Sequence, residues 1–443
     1  MSTLRAVLPA NGPAWIDRLL TWLEPFESSF GHVAQRGAFR RYLLGLLSDS
    51  PRKSMSAMLA RVSDPGSYQA FQHFLTHAPW DAERVWRRLR AELPARSGVL
   101  ILDGTGFPKQ GTHSVGVARQ YSGTLGKIAN CQVAVTAALW TGAQAWFLGA
   151  KLYLSDAWLS TEQRARARIA PTVRFQEKWR LALTLLRQVR AARIHVTAVL
   201  ADAEFGDNSR LRDYLHRAGV PYAVGVSSTI TVFRGTPLLR GPQPIPRGRP
   251  RVRPTLPEGI TPIAVQALVA TWSARQWRTV RWRNPRGVRT WAARFAAARV
   301  TPAHAWRQRR LPPEVWLLAE QHTGATPRTK YYFIDLPSTT SLRALVQLAH
   351  QRWAIEQQYQ ELKDELGLDH FEGRSLPGWE RHVALTALAY TFLQVERQRP
   401  ASRSLTLPHV RAIIREVLTA HFFVTRPHYL KRMLKLQDVV LRI

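Results

Sequence analysis

The stretch Gln351-Arg352-Trp353-Ala354-Ile355-Glu356-Gln357-Gln358-Tyr359-Gln360-Glu361-Leu362-Lys363 decides how the rest of the chain is read. Neither glycine nor proline occurs between Leu342 and Leu366. The apolar residues Leu345, Leu348, Ile355, Tyr359, Leu362 and Leu366 recur at intervals of three, four or seven, the period of an amphipathic helix. Arg352, Glu356 and Lys363 then stand at i, i+4 and i+11, within about 40° of one helical line. One carboxylate is set between two cations. A solvated salt-bridge ladder has the same spacing, so the choice between surface and site rests on what lies upstream.

Upstream, Val99-Leu100-Ile101-Leu102 is a continuous apolar run bounded by Gly98 and Gly104, read as a buried strand with Asp103 at its end. A loop-like stretch with Gly106, Gly111, Gly116 and Gly123 follows and carries Lys109, Arg119 and Lys127. Residues 132–140 and 145–154 are strand-like and joined by Thr141-Gly142, a hairpin pattern. Residues 175–190 have helical spacing and lead into the strand His195-Val196-Thr197-Ala198-Val199-Leu200, which ends at Asp202. Strand, hairpin, helix, strand is the order of an α/β layer of the RNase H-like kind, with acids at the ends of central strands.

Around that core the pattern changes. Residues 1–95 read as short helices with Ser67 and Asp81 as N-caps, and nine cations from Arg40 to Arg90 make this all-α N-terminal domain a candidate DNA-binding bundle. A packing domain with a solvated basic face has an equal claim. Residues 96–226 are the first part of the core. Residues 227–327 contain no Asp, many Arg, Pro-rich turns such as Pro242-Gln243-Pro244-Ile245-Pro246, and tryptophans from Trp272 to Trp291; they read as an inserted β-rich basic domain. The tryptophans suit either core packing or base stacking. Residues 328–374 complete the core with the Glu356 helix, and 375–443 are helical.

Sixty-three Lys plus Arg against 30 Asp plus Glu give +33 over 443 residues, a balance that implies a polyanionic partner. Nucleic acid is favoured over an anionic membrane, because no apolar run reaches spanning length and the basic residues are spread over many segments. Cys131 is the sole cysteine, which excludes disulfides within the chain and cysteine-based zinc sites. The start, Met1-Ser2-Thr3-Leu4-Arg5, lacks a signal-peptide core, so a cytoplasmic protein is expected.

Asp103, Asp202 and Glu356 each stand at the edge of an otherwise apolar element. Hard divalent cations prefer carboxylate oxygens, so convergent acids with substrate phosphate oxygens suffice for Mg²⁺, with Mn²⁺ as a substitute. Two such ions could serve an in-line displacement at phosphorus. For Asp103 alone, a turn role after a strand is the plainer reading.

The segments Ile101-Leu102-Asp103-Gly104-Thr105-Gly106-Phe107-Pro108-Lys109-Gln110-Gly111 and Val199-Leu200-Ala201-Asp202-Ala203-Glu204-Phe205-Gly206-Asp207 resemble the first and second acidic segments of DDE transposases of bacterial insertion sequences. The helix resembles the signature of the branch with a β-rich insertion before the last acid: Tyr, two residues, Arg, three, Glu, six, Lys. Arg352, Glu356 and Lys363 match, and Ala349 departs at the Tyr position. The resemblance implies metal-dependent cleavage at the ends of a mobile element and joining of the 3′-OH to target DNA. It further implies Arg352 and Lys363 on terminal phosphates, a homodimer at the DNA synapse, and a nucleoid-associated location. Lys109, Arg119 and Lys127 are backbone-binding candidates in the first loop, against solvated loop charge. Glu361 is about 140° round the helix from Glu356, so both cannot face one metal. An inactive DNA-binding relative and another RNase H-like nuclease are the alternatives.

Overall fold

The computed structural model describes residues 12–62, 64–123, 125–241, 253–283, 290–322 and 328–432; the start of the chain and the Pro242–Pro246 turn lie outside these. The chain is mixed α/β. Among the described residues twelve strands join one sheet: β1 Ser97–Pro108, β2 Ala118–Ser122, β3 Lys127–Trp140, β4 Ala145–Leu152, β5 His195–Ala201, β6 Tyr222–Val226, β7 Thr231–Phe233, β8 Ile263–Ala264, β9 Arg278–Arg283, β10 Thr290–Pro302, β11 Val315–His322 and β12 Arg328–Asp335. The order across it is β2-β3-β1-β5-β6-β12-β11-β10-β7-β8, with β4 also on β3 and β9 on β10.

β1 runs antiparallel to β3 and parallel to β5, and β5 runs parallel to β6. From β1 the chain therefore builds the sheet first to one side and then, after the helix Lys178–Ala191, to the other. In an open α/β sheet such a reversal leaves a crevice at the carboxyl ends of the two strands. The order expected from the sequence, strand, hairpin, helix, strand, is present.

Period-two alternation separates the faces of the central strands. Leu100, Leu102, Val199 and Ala201 pack with Leu183, Leu186, Leu211 and Leu215 of the helices Lys178–Ala191 and Ser209–Arg217. Val99, Ile101, Ala198 and Leu200 pack on the opposite face with Leu345, Val346 and Ile355. The third core joins the N-terminal helices to the helix Leu376–Arg397, which is buried along most of its length. Ser67 and Asp81 accept backbone N–H groups as the expected N-caps.

Two features differ from the sequence expectation. β1 does not stop at Asp103 but continues to Pro108, because Gly104 and Gly106 are strand residues admitting close neighbours, not breakers. The glycine-rich stretch after it is partly ordered as β2 and the start of β3, a hairpin. The strands between 227 and 327 extend the central sheet through β12, which pairs with β6 on one side and β11 on the other. Their tryptophans are half-buried and pack: Trp272 on Trp277, and Trp282 on Trp291, Phe295 and His350. No helix of the described residues is long and apolar enough to cross a membrane.

Candidate active site

The alternation that sorts the core also places two acids. Residues 99, 101 and 103 of β1 share a face, as do residues 198, 200 and 202 of β5 and its exit, and both sets face the helix that carries Glu356. The parallel register ends at Ile101↔Leu200, and two residues further along it Asp103 comes opposite Asp202. Asp103 Oδ1 accepts the Gly104 N–H at 3.0 Å. Asp202 caps the short turn Ala203–Gly206, its Oδ1 accepting the Glu204 N–H at 3.0 Å. Both carboxylates thus stand at the crevice between β1 and β5.

The covering helix is less regular than its sequence predicts. An α-helix Leu342–His350, capped by Ser341, passes into a tight 3₁₀ turn Gln351–Trp353, an α segment Ala354–Gln360 and a wide π turn Glu361–Glu365. Arg352 lies in the tight turn and Lys363 in the wide one. Such irregular turns are frequent at functional sites. Arg352 Nη1 donates to Asp103 Oδ2 at 3.2 Å and Nη2 to Glu356 Oε1 at 3.0 Å. The guanidinium therefore bridges strand and helix, where the sequence alone offered only an i,i+4 pair.

The electrostatics show that the third acid shares this field. Burial pushes the Asp103 carboxyl up to about 7; Arg352 opposes the shift, and the negative charges of Asp202 and Glu356 add to it. Asp202 is also raised, by burial first, against Arg352 and with Glu204. Burial works against the charge on Arg352, yet Asp103, Glu356 and Asp202 hold its proton more firmly than usual. Asp103 and Glu356 are bonded to one guanidinium, and the charge of Asp202 acts on it as well. Among the described residues no three His, Cys, Asp or Glu side chains form a ready metal cage. Here the guanidinium bridges Asp103 and Glu356. The donor set is nonetheless all carboxylate oxygen, the chemistry of a hard divalent cation.

Three other acids close to these in the sequence, Glu361, Glu204 and Asp207, are engaged elsewhere. Glu361 is buried and accepts from Gln357 and Tyr390 at 3.0 Å each. Glu204 pairs with Lys178, and Asp207 accepts the Ser227 N–H at 2.8 Å. Asp364 is exposed. Lys363 Nζ donates to the Gly106 carbonyl at 3.0 Å and lies over the Phe107 ring. Lys109 is turned inward, donating to the carbonyls of Asp369 and Phe371 at 2.8 and 2.7 Å. Arg119 and Lys127 are exposed on the β2–β3 hairpin.

Sequence reasoning missed two neighbours. The Tyr359 hydroxyl pairs with Thr136 Oγ1 behind Asp103, and burial followed by the Asp103 charge raises that phenol strongly. Glu320, fully buried, accepts from Tyr332 and lies 3.3 Å from Nε2 of His350, two residues before Arg352. Tyr359 was hidden because it also completes the apolar stripe. Ala349, at the signature Tyr position, is buried under the helix.

A family model described as DDE superfamily endonuclease matches residues 25–289, a span that includes Asp103 and Asp202 and ends before Glu356. The probable transposase for insertion sequence element IS701 of Microchaete diplosiphon is 30% identical over 220 residues, which are 48% of this chain and 54% of that protein. The chain thus spans about half the length of this curated relative. Among solved structures, the piggyBac transposase synaptic complex with hairpin DNA aligns over 89% of this chain and 73% of that one, at 9% identity and a TM-score of 0.46. With the matched span covering more than half of its residues, the chain belongs to the DDE superfamily endonuclease family.

Proposed function

We propose that this protein is a DNA transposase that cuts the ends of an insertion sequence and joins the freed 3′-OH to target DNA, working from an RNase H-like core. The observation that carries the reading is the bridging of Asp103 and Glu356 by Arg352, with Asp202 in register beside Asp103, where the parallel pairing of β1 and β5 ends. Family membership supports the phosphoryl-transfer class.

Asp103, Asp202 and Glu356 would hold divalent metal, Mg²⁺ in the first instance. When bound, the metal supplies Lewis-acid activation of the attacking oxygen and charge stabilisation at phosphorus. Arg352 offsets the mutual repulsion of the acids and is the guanidinium nearest to them for a terminal phosphate. Lys363, at the far end of the same helix, is assigned to the same backbone, and Arg119 and Lys127 to its continuation along the hairpin. Lys109 is assigned instead to holding the turn at Asp369–Phe371 against β1. Two copies would meet at the DNA synapse.

The test is strand transfer with duplexes carrying the inverted repeats that flank the gene. Asp103→Asn and Glu356→Gln should each abolish Mg²⁺-dependent cleavage and joining while the protein still binds the duplex. Cleavage retained in either variant removes that residue from the assignment.

A further inference from the structure

Arg352 stands on the very oxygens that a metal would need. Nη1 of its guanidinium donates to Asp103 Oδ2 at 3.2 Å and Nη2 to Glu356 Oε1 at 3.0 Å. The other Asp103 oxygen, Oδ1, accepts the Gly104 N–H at 3.0 Å. Each oxygen of this buried acid therefore already holds a donor, and one of the two donors carries a full positive charge. A divalent ion takes its ligands from the same carboxylate oxygens, and a guanidinium in contact with them repels it. Asp202 stands apart: its Oδ1 caps the turn that follows it, and it acts on Arg352 through its charge.

The guanidinium has an exit. The Arg352 side chain is 29% exposed and that of Glu356 52%, against 10% for Asp103, so solvent reaches the bridge from the helix side. Among the described residues its hydrogen bonds go to these two carboxylates. A phosphate diester presents two oxygens that match the guanidinium fork and brings a negative charge of its own. For a chain of net charge +33, the polyanion that supplies such groups is nucleic acid. A phosphate arriving from solvent thus competes with Asp103 and Glu356 for one cation, and its success uncovers their oxygens.

We propose that Arg352 is a lock on the acidic site. In the free protein it closes Asp103 and Glu356 to divalent metal, and a DNA phosphate opens them by taking the guanidinium for itself. DNA and metal then bind with positive coupling, each raising the affinity for the other by the same factor. The acids gain their full affinity for metal only when a phosphate is already beside them, which keeps the site idle until DNA is seated. The proposal rests on the metal-dependent transposase reading given above.

The experiment titrates Mn²⁺ into the full chain and reads the free ion by its electron paramagnetic resonance signal. The double variant Asp103→Asn, Glu356→Gln is the blank that identifies the ions held by the acids. Without DNA, Arg352→Gln should bind that Mn²⁺ at least about tenfold more tightly than the wild type. Should that variant fail to fold, Arg352→Lys serves: its ammonium keeps the charge but is a point that cannot span both carboxylates, so it should bind about threefold more tightly. The coupling itself is read in the wild type. A duplex of the flanking inverted repeat, pre-cut at its end, should tighten Mn²⁺ at least about tenfold beyond the same mixture made with the blank, and Mn²⁺ should tighten the duplex equally in fluorescence anisotropy. In Arg352→Gln that coupling should fall below about threefold. Variants that bind Mn²⁺ no more tightly than the wild type, or a duplex that leaves the wild type's Mn²⁺ affinity unchanged, overturn the lock and leave the metal site standing. If the wild type with bound duplex holds no more Mn²⁺ than the blank, the acids are not metal ligands, and the lock falls with that reading. A duplex that does not bind at all overturns the transposase reading, and the DNA-opened lock with it.

Discussion

Asp103 is held in a state that folding alone would not choose. Its carboxyl, 7% exposed, is raised from the ordinary Asp range to about 7 by burial and by the neighbouring acids. The folded state therefore binds a proton that the unfolded state has already released, so stability falls as pH rises from about 4 to about 7. In metal-free buffer Asp103→Asn should raise the melting temperature at pH 8, by about 2 °C for each kcal/mol relieved, and leave it nearly unchanged at pH 4.5. Equal shifts at both pH values would contradict the assigned carboxyl. The helix's two glutamates divide differently. Glu356 is exposed and Glu361 is packed against Tyr390. Glu356→Gln should change stability by less than about 0.5 kcal/mol in urea unfolding. Glu361→Leu, which leaves the Tyr390 hydroxyl donor unpaired, should cost about 1–3 kcal/mol and spare cleavage by the folded fraction. The reverse pattern would exchange their roles. This division was legible beforehand, since 140° of helical rotation separates the two. Tyr359 was not, because a half-buried phenol satisfies the same periodicity as a leucine.

At the scale of elements, periodicity located the strands and the helix but not their irregularities. Alternation along Val99–Asp103 and Ala198–Asp202 was enough to put both acids on one face. The 3₁₀ and π turns that flank Glu356 have no glycine or proline to announce them. Glycine misled in β1, where Gly104 and Gly106 mark close approach within a strand. Gly206 shows the same cause at its strongest. A Cβ there would lie 1.8 Å from the Gly225 carbonyl oxygen of β6, and the Gly206 N–H closes the turn on the Asp202 carbonyl at 2.8 Å. Gly206→Ala should therefore push the turn off β6 and move Asp202, costing about 2–3 kcal/mol and most of the cleavage. A variant of wild-type stability in urea would show that the turn has slack that this geometry denies.

Over the whole molecule, the charge that pointed to a polyanion is distributed unevenly. Of the nine cations between Arg40 and Arg90 that made the N-terminal helices a candidate DNA-binding bundle, Arg40, Arg41, Arg52, Arg61, Arg88 and Arg90 are ion-paired, and Lys53 is buried against the Ser48 carbonyl. These helices also have a packing role: they enclose the helix Leu376–Arg397, a long-range arrangement that no local pattern encodes. His382 lies at that junction. Its Nε2 is 3.0 Å from the Gly367 carbonyl, which can only accept, so Nε2 carries the proton; Nδ1, 2.8 Å from the Tyr42 hydroxyl, then accepts. One neutral imidazole thus ties an N-terminal helix to the turn that ends the Glu356 helix. Burial lowers it to about 4. Between about pH 6.5 and 4 the unfolded state takes up a proton that the folded state refuses, so acid removes about 3 kcal/mol of stability through this residue. His382→Gln keeps one donor and one acceptor but cannot titrate. Its urea stability should fall less than the wild type's between pH 7 and 4, by about that amount, and parallel curves for the two proteins would place the acid sensitivity elsewhere.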